Sequence, residues 1–216
     1  MTATTSSKWI TERFSERAIR TGPGMVGLDP KDVRKVIAFG GGFPDASTLP
    51  IQDILEATRV ALERDGEWAL QYAFGSGVPE LVDALLDKLA HDQGIQANRE
   101  NVLITNGGSQ ALGLIFGAFV DPGDVVISEA PFFLGAVGRC RASGADVREI
   151  PLDNEGLDLD VLRTTLEGLK GEGKQAKFLY MVPNFQNPTG ITYSLERRKA
   201  ILDLCKQHEV MILEDD

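Results

Sequence analysis

From Asn101 onward, short apolar runs alternate with longer segments in which apolar residues recur every three or four positions. The apolar runs predict buried strands, because short runs bounded by Gly, Pro or Asn are typical of a parallel sheet. The predicted strands are 102–105, 125–128, 145–150, 178–182 and 210–213, and the predicted helices are 109–119, 134–141, 159–169 and 194–208. Such alternation with short links predicts βαβ units, and therefore an α/β fold with a mostly parallel sheet.

The first hundred residues follow a less regular pattern, with glycine-rich breaks between the predicted elements. Apolar positions predict a short amphipathic helix over 8–20, a strand over 36–39 and a helix over 51–65 with one apolar face. Three consecutive glycines follow the strand and indicate close backbone approach or positive φ. Pro79 opens a further helix at its first turn, where its missing N–H group costs nothing.

The acidic balance of the chain narrows the classes of partner. The 216 residues carry a net charge of −10, spread along the chain, which disfavours nucleic acid and anionic membranes because both need a basic surface. No apolar run reaches the roughly 18 residues of a membrane helix, and the polar N-terminus lacks the apolar core of a signal peptide. Cys140 and Cys205 stand without metal-ligand spacing, so we expect thiols in a reducing cytoplasm and no metal site.

Two predicted strands end in segments that carry amide or carboxylate groups. A loop over 183–190 follows the strand 178–182, and three carboxylates follow the strand 210–213. Ligands of α/β sheets bind at the carboxyl ends of the strands, so we expect one molecule to touch both segments. Asn187 precedes a proline, which restricts its backbone and holds its amide rigidly. The carboxylate of Asp215 suits a heteroaromatic nitrogen, which it would keep protonated; a solvated acidic turn is the alternative.

Two further segments add candidate contacts for a flat, anionic ligand. Residues 106–110, Asn-Gly-Gly-Ser-Gln, join a strand to a helix start, whose free N–H groups and positive dipole end suit a phosphate. A purely structural glycine turn is the alternative there. Phe132 and Phe133 follow the strand 125–128 and either stack on a flat ring or pack in the core. Together these features describe a site for a flat, phosphorylated, nitrogen-containing ring.

At these residues the sequence resembles the fold-type I pyridoxal-phosphate (PLP) enzymes, specifically the class I and II aminotransferases. The motifs that carry the resemblance are Gly-Gly-Phe-Pro at 41–44, Leu-Gln-Tyr at 70–72, Thr-Asn-Gly-Gly-Ser-Gln-Ala at 105–111, Glu-Ala-Pro at 129–131, Asn-Pro-Thr-Gly at 187–190 and Glu-Asp-Asp at 214–216. A more specific combination, Gly-Gly-x-Pro with Leu-Gln-Tyr and with Phe-Gln-Asn-Pro-Thr-Gly at 185–190, is similar to the 2-aminoadipate and aromatic aminotransferase branch. The resemblance implies a truncated three-layer α/β/α fold, with an N-terminal arm and small-domain segment at 1–50 and an incomplete PLP-binding major domain at 51–216.

The resemblance also implies roles for individual residues, each carried over by its place in a motif. The residues implied to bind pyridoxal 5'-phosphate are Gly108, Ser109, Gln110, Phe133, Asn187, Asp215 and Tyr72. The three from the 106–110 segment would bind the phosphate, and Phe133 would stack on the ring. Asn187 would bond the phenolic oxygen, and Asp215 the ring nitrogen. Tyr72 would reach the phosphate of a neighbouring subunit, in a homodimer with shared active sites. The residues implied on the substrate side are Gly41, Gly42, Tyr72 and Asn187.

Three further residues of the family's site would lie beyond Asp216: the Schiff-base lysine, a phosphate-binding arginine and a substrate-binding arginine. We therefore expect the chain to be an N-terminal fragment that lacks a catalytic residue of its own. The full-length parent would be a cytoplasmic aminotransferase that moves an amino group between an amino acid and a 2-oxo acid. Two alternatives stay open: a PLP-dependent C–S lyase or other fold-type I enzyme, and a non-catalytic MocR-like module that binds PLP.

Overall fold

One sheet of five strands organises the part of the chain that carries most of the candidate residues. In a computed structural model that describes residues 8–21, 44–72 and 75–216, the strands are β1 (Val125–Ala130), β2 (Asp146–Asp153), β3 (Gly156–Leu157), β4 (Ala176–Met181) and β5 (Met211–Glu214). They lie in the order β3-β2-β1-β4-β5, and all neighbours are parallel except the antiparallel pair β2 and β3. The predicted, mostly parallel sheet is therefore confirmed.

Helices cover both faces of this sheet. Along the described residues the helices are α1 (Lys8–Thr11), α2 (Glu16–Thr21), α3 (Ile51–Asp65), α4 (Pro79–Gln93), α5 (Gly108–Phe119), α6 (Leu134–Ser143), α7 (Leu159–Gly171) and α8 (Leu195–Gln207). Successive strand residues point to opposite faces. Ile127 and Leu179 pack with α7 and α8 on one face, whereas Val126 and Phe178 pack with α5 and α6 on the other. The predicted three-layer arrangement follows from these two apolar clusters.

Local sequence explains where the helices of the first face begin. The Asp158 carboxylate accepts hydrogen bonds from two backbone N–H groups in the first turn of α7, at 2.9 and 3.0 Å. The Ser194 hydroxyl accepts one from the first turn of α8 at 3.2 Å. These caps satisfy N–H groups that have no partner within the helix. The buried leucines of α7 recur three or four positions apart, which gives the helix one apolar stripe: Leu162, Leu166 and Leu169.

Two predicted elements differ from the structure. The segment 102–105 is extended but does not join the sheet, because the Ile104 N–H group donates to the carbonyl of Ser76 at 2.7 Å. The helix predicted over 8–20 forms as two helices, α1 and α2. The Ser15 hydroxyl accepts from the N–H group of Ala18 at 3.2 Å, so it caps a new helix start. The strand predicted over 36–39 lies outside the described residues.

The chain divides into two units, one made of Met1–Pro30 and Asn106–Asp216, and the other of Lys31–Thr105. The first unit contains the sheet. In the second unit, α3 forms with the predicted bounds, but its apolar residues Ile51, Ile54 and Leu55 each expose more than half of their surface. The apolar stripe predicted for α3 is therefore present but is not covered by residues that the structure describes.

Candidate functional site

The strand order changes direction between β1 and β4. The chain runs from β1 to β2 on one side, and then returns past β1 to β4 and β5 on the other side. In open parallel sheets, ligands bind outside the carboxyl ends of the strands at this change of direction. The segments at these ends begin at Pro131 after β1, at Val182 after β4 and at Asp215 after β5. They contain three of the predicted site residues, namely Phe133, Asn187 and Asp215.

Asp215 lies directly after β5, and its carboxylate is held by a buried tyrosine. The phenol of Tyr180, on the neighbouring strand β4, donates to Oδ2 of Asp215 at 2.7 Å. The N–H group of Asp215 also donates to the carbonyl of Met181 at 3.0 Å, which continues the pairing of the two strands. Burial, and then the hydrogen bond to Asp215, raise the pKa of Tyr180, so the phenol stays protonated and donates. No other side-chain hydrogen bond reaches the carboxylate from the described residues, which leaves Oδ1 for a ligand.

Asn187 lies in a short loop that folds back on itself after β4. The N–H group of Gln186 donates to the carbonyl of Ile191 at 2.8 Å, and that of Gly190 donates to the carbonyl of Gln186 at 2.6 Å. The bond between Asn187 and Pro188 is cis. Asn187 is exposed, and within the described residues its side-chain amide makes no hydrogen bond. The amide is therefore available to a ligand while the backbone beside it is fixed.

Arg198 ties the start of this loop to helix α8. Its guanidinium group donates to the carbonyls of Pro183 at 2.9 Å and Tyr193 at 3.1 Å, and to Oδ1 of Asn184 at 2.5 Å. The amide of Asn184 donates in turn to the carboxylate of Asp216 at 2.5 Å. One arginine and one asparagine thus join the ends of β4 and β5, which keeps Asn187 and Asp215 on adjoining segments.

Glu129, near the end of β1, is a fully buried carboxylate that bonds the loop of Asn187. Its oxygens accept hydrogen bonds from the phenol of Tyr193 at 2.6 Å, the side-chain amide of Gln186 at 2.8 Å and the N–H group of Val182 at 3.2 Å. Burial raises the pKa of Glu129, while the bonds from Tyr193 and Gln186 oppose that rise. This cluster links β1 to the loop that carries Asn187.

The start of α5 offers the predicted anion site. Gly107 precedes the helix at a φ of 75°, a conformation that favours glycine, and residues 106–110 are all exposed. The Gly108 and Ser109 N–H groups lie in the first turn, where a helix leaves its N–H groups without internal acceptors. Gln110 differs from them, because its side-chain oxygen accepts from the N–H group of Asn106 at 2.5 Å. Its side-chain NH₂ group is left to face a ligand.

Phe133 immediately precedes α6 and is half-buried against the apolar cluster of α5 and α6. It therefore combines the two possibilities left open by the sequence, since part of the ring packs in the core and part is accessible. The glycine at position 135 makes this placement possible. A Cβ atom there would lie 2.7 Å from Cζ of the Phe133 ring, closer than any packed contact.

The same apolar cluster relates α5 to the strand ends. Leu112 and Phe116 of α5 pack with Tyr180 and Phe133, so α5 lies on the sheet face from which Tyr180 reaches Asp215. Tyr72 belongs to the other unit and exposes 89% of its surface. Gly41 and Gly42 lie outside the described residues. The structure thus groups the predicted phosphate, ring and nitrogen contacts within the first unit.

Both cysteines are buried in the described part of the chain. Cys140 and Cys205 are buried free thiols, as expected, and burial raises the pKa of Cys140 to about 12 and that of Cys205 to about 11. No group of three or more His, Cys, Asp or Glu side chains within residues 8–21, 44–72 and 75–216 could hold a metal ion. Within the same ranges, no helix has both the length and the apolar character needed to cross a membrane.

Sequence reasoning missed the residues that hold the site together. Glu129 and Gln186 were recognised only as parts of motifs, and Tyr180 only as part of an apolar strand. The one available signal was Glu129 itself, because a carboxylate that continues an apolar strand must find buried partners. Its partners lie 53 to 64 residues further along the chain, which no local pattern reveals.

Comparisons with known proteins find similar sequences among the aminotransferases. A family model described as aminotransferase class I and II matches residues 34–216. The aromatic-amino-acid aminotransferase 1 of Thermococcus litoralis is 36% identical over 209 residues, which cover 94% of this chain and 49% of that protein. The 2-aminoadipate transaminase of Thermus thermophilus is 36% identical over 181 residues, which cover 84% of this chain and 43% of that protein.

Solved structures show the same fold. The crystal structure of Pyrococcus horikoshii kynurenine aminotransferase, in complex with PMP, has a TM-score of 0.83 at 34% identity and covers 96% of this chain and 52% of its own. An alpha-aminoadipate aminotransferase from Thermus thermophilus, complexed with N-(5'-phosphopyridoxyl)-L-leucine, has a TM-score of 0.81 at 33% identity and covers 96% of this chain and 50% of its own. The predicted fold class is therefore confirmed. The chain spans about half the length of these relatives.

Proposed function

Because the chain belongs to the aminotransferase class I and II family, we propose that the protein at its natural length binds pyridoxal 5'-phosphate and transfers an amino group from an amino acid to a 2-oxo acid. The named relatives are aromatic-amino-acid, 2-aminoadipate and kynurenine aminotransferases. They support an aromatic or dicarboxylic amino acid as the donor. They favour amino transfer over the C–S lyase and the MocR-like module.

The residues of the first unit fit the cofactor. Gly108 and Ser109 offer first-turn N–H groups to a phosphate, and the exposed amide of Asn187 offers a donor to a phenolic oxygen. Phe133 presents part of an aromatic ring. The observation that carries the proposal is Asp215, whose carboxylate is held at Oδ2 by Tyr180 and keeps Oδ1 for a protonated nitrogen.

When bound, pyridoxal 5'-phosphate supplies an aldehyde and a protonated ring that accepts electrons from the substrate. The residues of this chain would perform the supporting tasks. Asp215 holds a proton on the ring nitrogen by charge, and Asn187 orients the ring by a hydrogen bond. Phe133 covers one ring face and excludes water from it. The first turn of α5 anchors the phosphate through N–H groups and the helix dipole.

The remaining features of the proposal rest on the family alone. We propose that Tyr72 reaches the phosphate of a neighbouring subunit in a homodimer, and that Gly41 and Gly42 lie beside the substrate. The 89% exposure of Tyr72 supports a contact outside its own unit. Residues 1–50 would form an N-terminal arm and small-domain segment, and residues 51–216 part of the PLP-binding domain. The protein would act in the cytoplasm.

A transfer assay tests the proposed function. The protein at its natural length is incubated with pyridoxal 5'-phosphate, 2-oxoglutarate and single amino acids, including 2-aminoadipate, kynurenine, phenylalanine and tyrosine. We expect glutamate to form in equal amount to the keto acid of the donor, and only when 2-oxoglutarate is present. Product beyond one equivalent per enzyme without a keto-acid acceptor would instead indicate a lyase, and the absence of turnover with every donor would refute the proposal.

A further inference from the structure

One buried side chain connects the two loops that carry the candidate ring contacts. Gln186, which is only 1% exposed, directly precedes Asn187. Its amide nitrogen lies 2.8 Å from Oε1 of Glu129, 2.7 Å from the carbonyl of Pro131 and 3.1 Å from the carbonyl of Asn187. Pro131 stands two residues before Phe133. Gln186 therefore bonds the backbone of both loops at once.

The orientation of the Gln186 amide is fixed by neighbouring groups that can only donate or only accept a hydrogen bond. The backbone N–H group of Thr189 can only donate, and it lies 2.9 Å from Oε1 of Gln186. The Thr189 hydroxyl donates to the same oxygen at 2.6 Å. The nitrogen of Gln186 must then face the carboxylate of Glu129 and the two carbonyls, all of which are acceptors. Each polar atom of Gln186 is thus satisfied in a single arrangement.

The carboxylate of Glu129 holds Gln186 in place by a hydrogen bond. The carboxylate is fully buried and accepts from three donors, namely Gln186, Tyr193 and the N–H group of Val182. No arginine, lysine or histidine in the described part of the chain forms an ion pair with it. If Gln186 moved, Glu129 would lose a donor in a place that water does not reach, which makes movement costly. The hydrogen-bonded pair of Gln186 and Glu129, called the strut below, therefore holds the end of β1 and the loop after β4 at a fixed distance.

We propose that Gln186, held by Glu129, is a positioning residue that fixes the spacing between Phe133 and Asn187 and so shapes the cofactor site. The inference rests on the proposed function, since it assigns these two residues to opposite sides of one bound ring. Neither Gln186 nor Glu129 touches the ring in this account. Loss of the strut would let the two loops drift apart, so that the cofactor binds more weakly and in a less uniform orientation.

The test compares variants of the protein at its natural length for affinity and for the shape of the site. The variant Gln186→Met keeps the length of the side chain and removes all its hydrogen bonds. We expect the dissociation constant for pyridoxal 5'-phosphate, measured by titrating the apoprotein, to rise about tenfold or more. We also expect the visible circular dichroism per bound cofactor to fall, because a loosely held ring gives a weaker signal.

A matched control separates positioning from general stability. Gln175→Met makes the same chemical change immediately before β4, where Gln175 bonds the carbonyls of His208 and Glu209. It should leave both readouts unchanged. Should Gln186→Met fail to fold, Thr189→Val removes one bond to Gln186 and should raise the dissociation constant about threefold or more.

The outcomes distinguish this inference from the function beneath it. Wild-type protein that does not bind pyridoxal 5'-phosphate would overturn both. Wild-type protein that binds the cofactor, with a Gln186→Met variant that folds and matches its affinity and dichroism, would overturn the positioning role alone. An equal loss in Gln175→Met would also overturn it, because the effect would then be one of stability.

Discussion

Replacing Tyr180 with phenylalanine isolates the bond that holds Asp215. Phenylalanine fills the same volume, so the apolar cluster around Phe116 and Phe178 keeps its packing. The change removes only the 2.7 Å hydrogen bond from the phenol to Oδ2 of Asp215. A hydrogen bond to a charged group contributes about 1.5–3 kcal/mol. Asp215 is half-buried and can recover some hydration, so we expect the lower end, about 1.5 kcal/mol.

A double-mutant cycle with Asp215→Ala measures this bond directly. The free energy of unfolding of the apoprotein is obtained from urea titrations of the wild type, Tyr180→Phe, Asp215→Ala and the double variant. We expect a coupling energy of about 1.5 kcal/mol between the two sites. Tyr193→Phe serves as the control, because its phenol bonds Glu129 at 2.6 Å and not Asp215. Its cycle with Asp215→Ala should give a coupling energy near zero.

A coupling energy between Tyr180 and Asp215 of less than about 0.5 kcal/mol would contradict the expected hydrogen bond, because independent sites already deviate from additivity by about that amount. Such a value would mean that the phenol does not hold the carboxylate in solution. The carboxylate oxygen proposed to face the cofactor would then have no fixed direction.

Three further predictions test the site and its scaffold. Gly135→Ala should destabilise the protein by about 1–3 kcal/mol in thermal unfolding and weaken cofactor binding, because the new Cβ atom would meet the Phe133 ring. Gly138→Ala is the control and should not destabilise the protein, because a Cβ atom at that position has no neighbouring atom within 4 Å. Leu162→Ala, at a site with no exposed surface, should cost about 2–5 kcal/mol in urea unfolding, against a small effect for a surface alanine variant of α7. The free energy of unfolding should fall as pH rises above about 10, because tyrosines ionise in the unfolded chain while burial and the hydrogen bond to Asp215 keep the pKa of Tyr180 raised in the folded protein. Tyr180→Phe should reduce this fall by about 1.4 kcal/mol per pH unit. An equal slope in the two proteins would contradict the prediction.

The elements that build the sheet could be predicted from the sequence because their signals are local. Apolar runs bounded by turn residues located β1, β4 and β5 to within a few residues, and the periodic pattern of 51–65 gave the bounds of α3. The segment 102–105 has the same kind of apolar run. It failed as a strand because pairing depends on a neighbour, and its N–H group at Ile104 bonds to a loop.

The candidate site was predictable only in part, for a related reason. Asn187 and Asp215 stand next to strand ends, so topology alone brings them to one edge. Glu129 and Tyr180 have their side-chain partners on other strands or loops, 35 or more residues away. Gln186 bonds its own loop as well as Glu129, which lies 57 residues away. Their roles depend on burial and on the direction of each donor, which only coordinates supply.

The dissociation constant of pyridoxal 5'-phosphate, compared between wild type and Asp215→Asn, tests whether Asp215 pairs with the ring nitrogen of the cofactor. The protein at its natural length should bind the cofactor. Asp215→Asn should weaken binding at least about tenfold, because a bond to a charged group contributes about 1.5–3 kcal/mol. Asp203→Asn, an exposed carboxylate on α8, should bind as the wild type does. Wild-type affinity in Asp215→Asn, or no binding by the wild type, would contradict the assignment of Asp215 to the ring nitrogen.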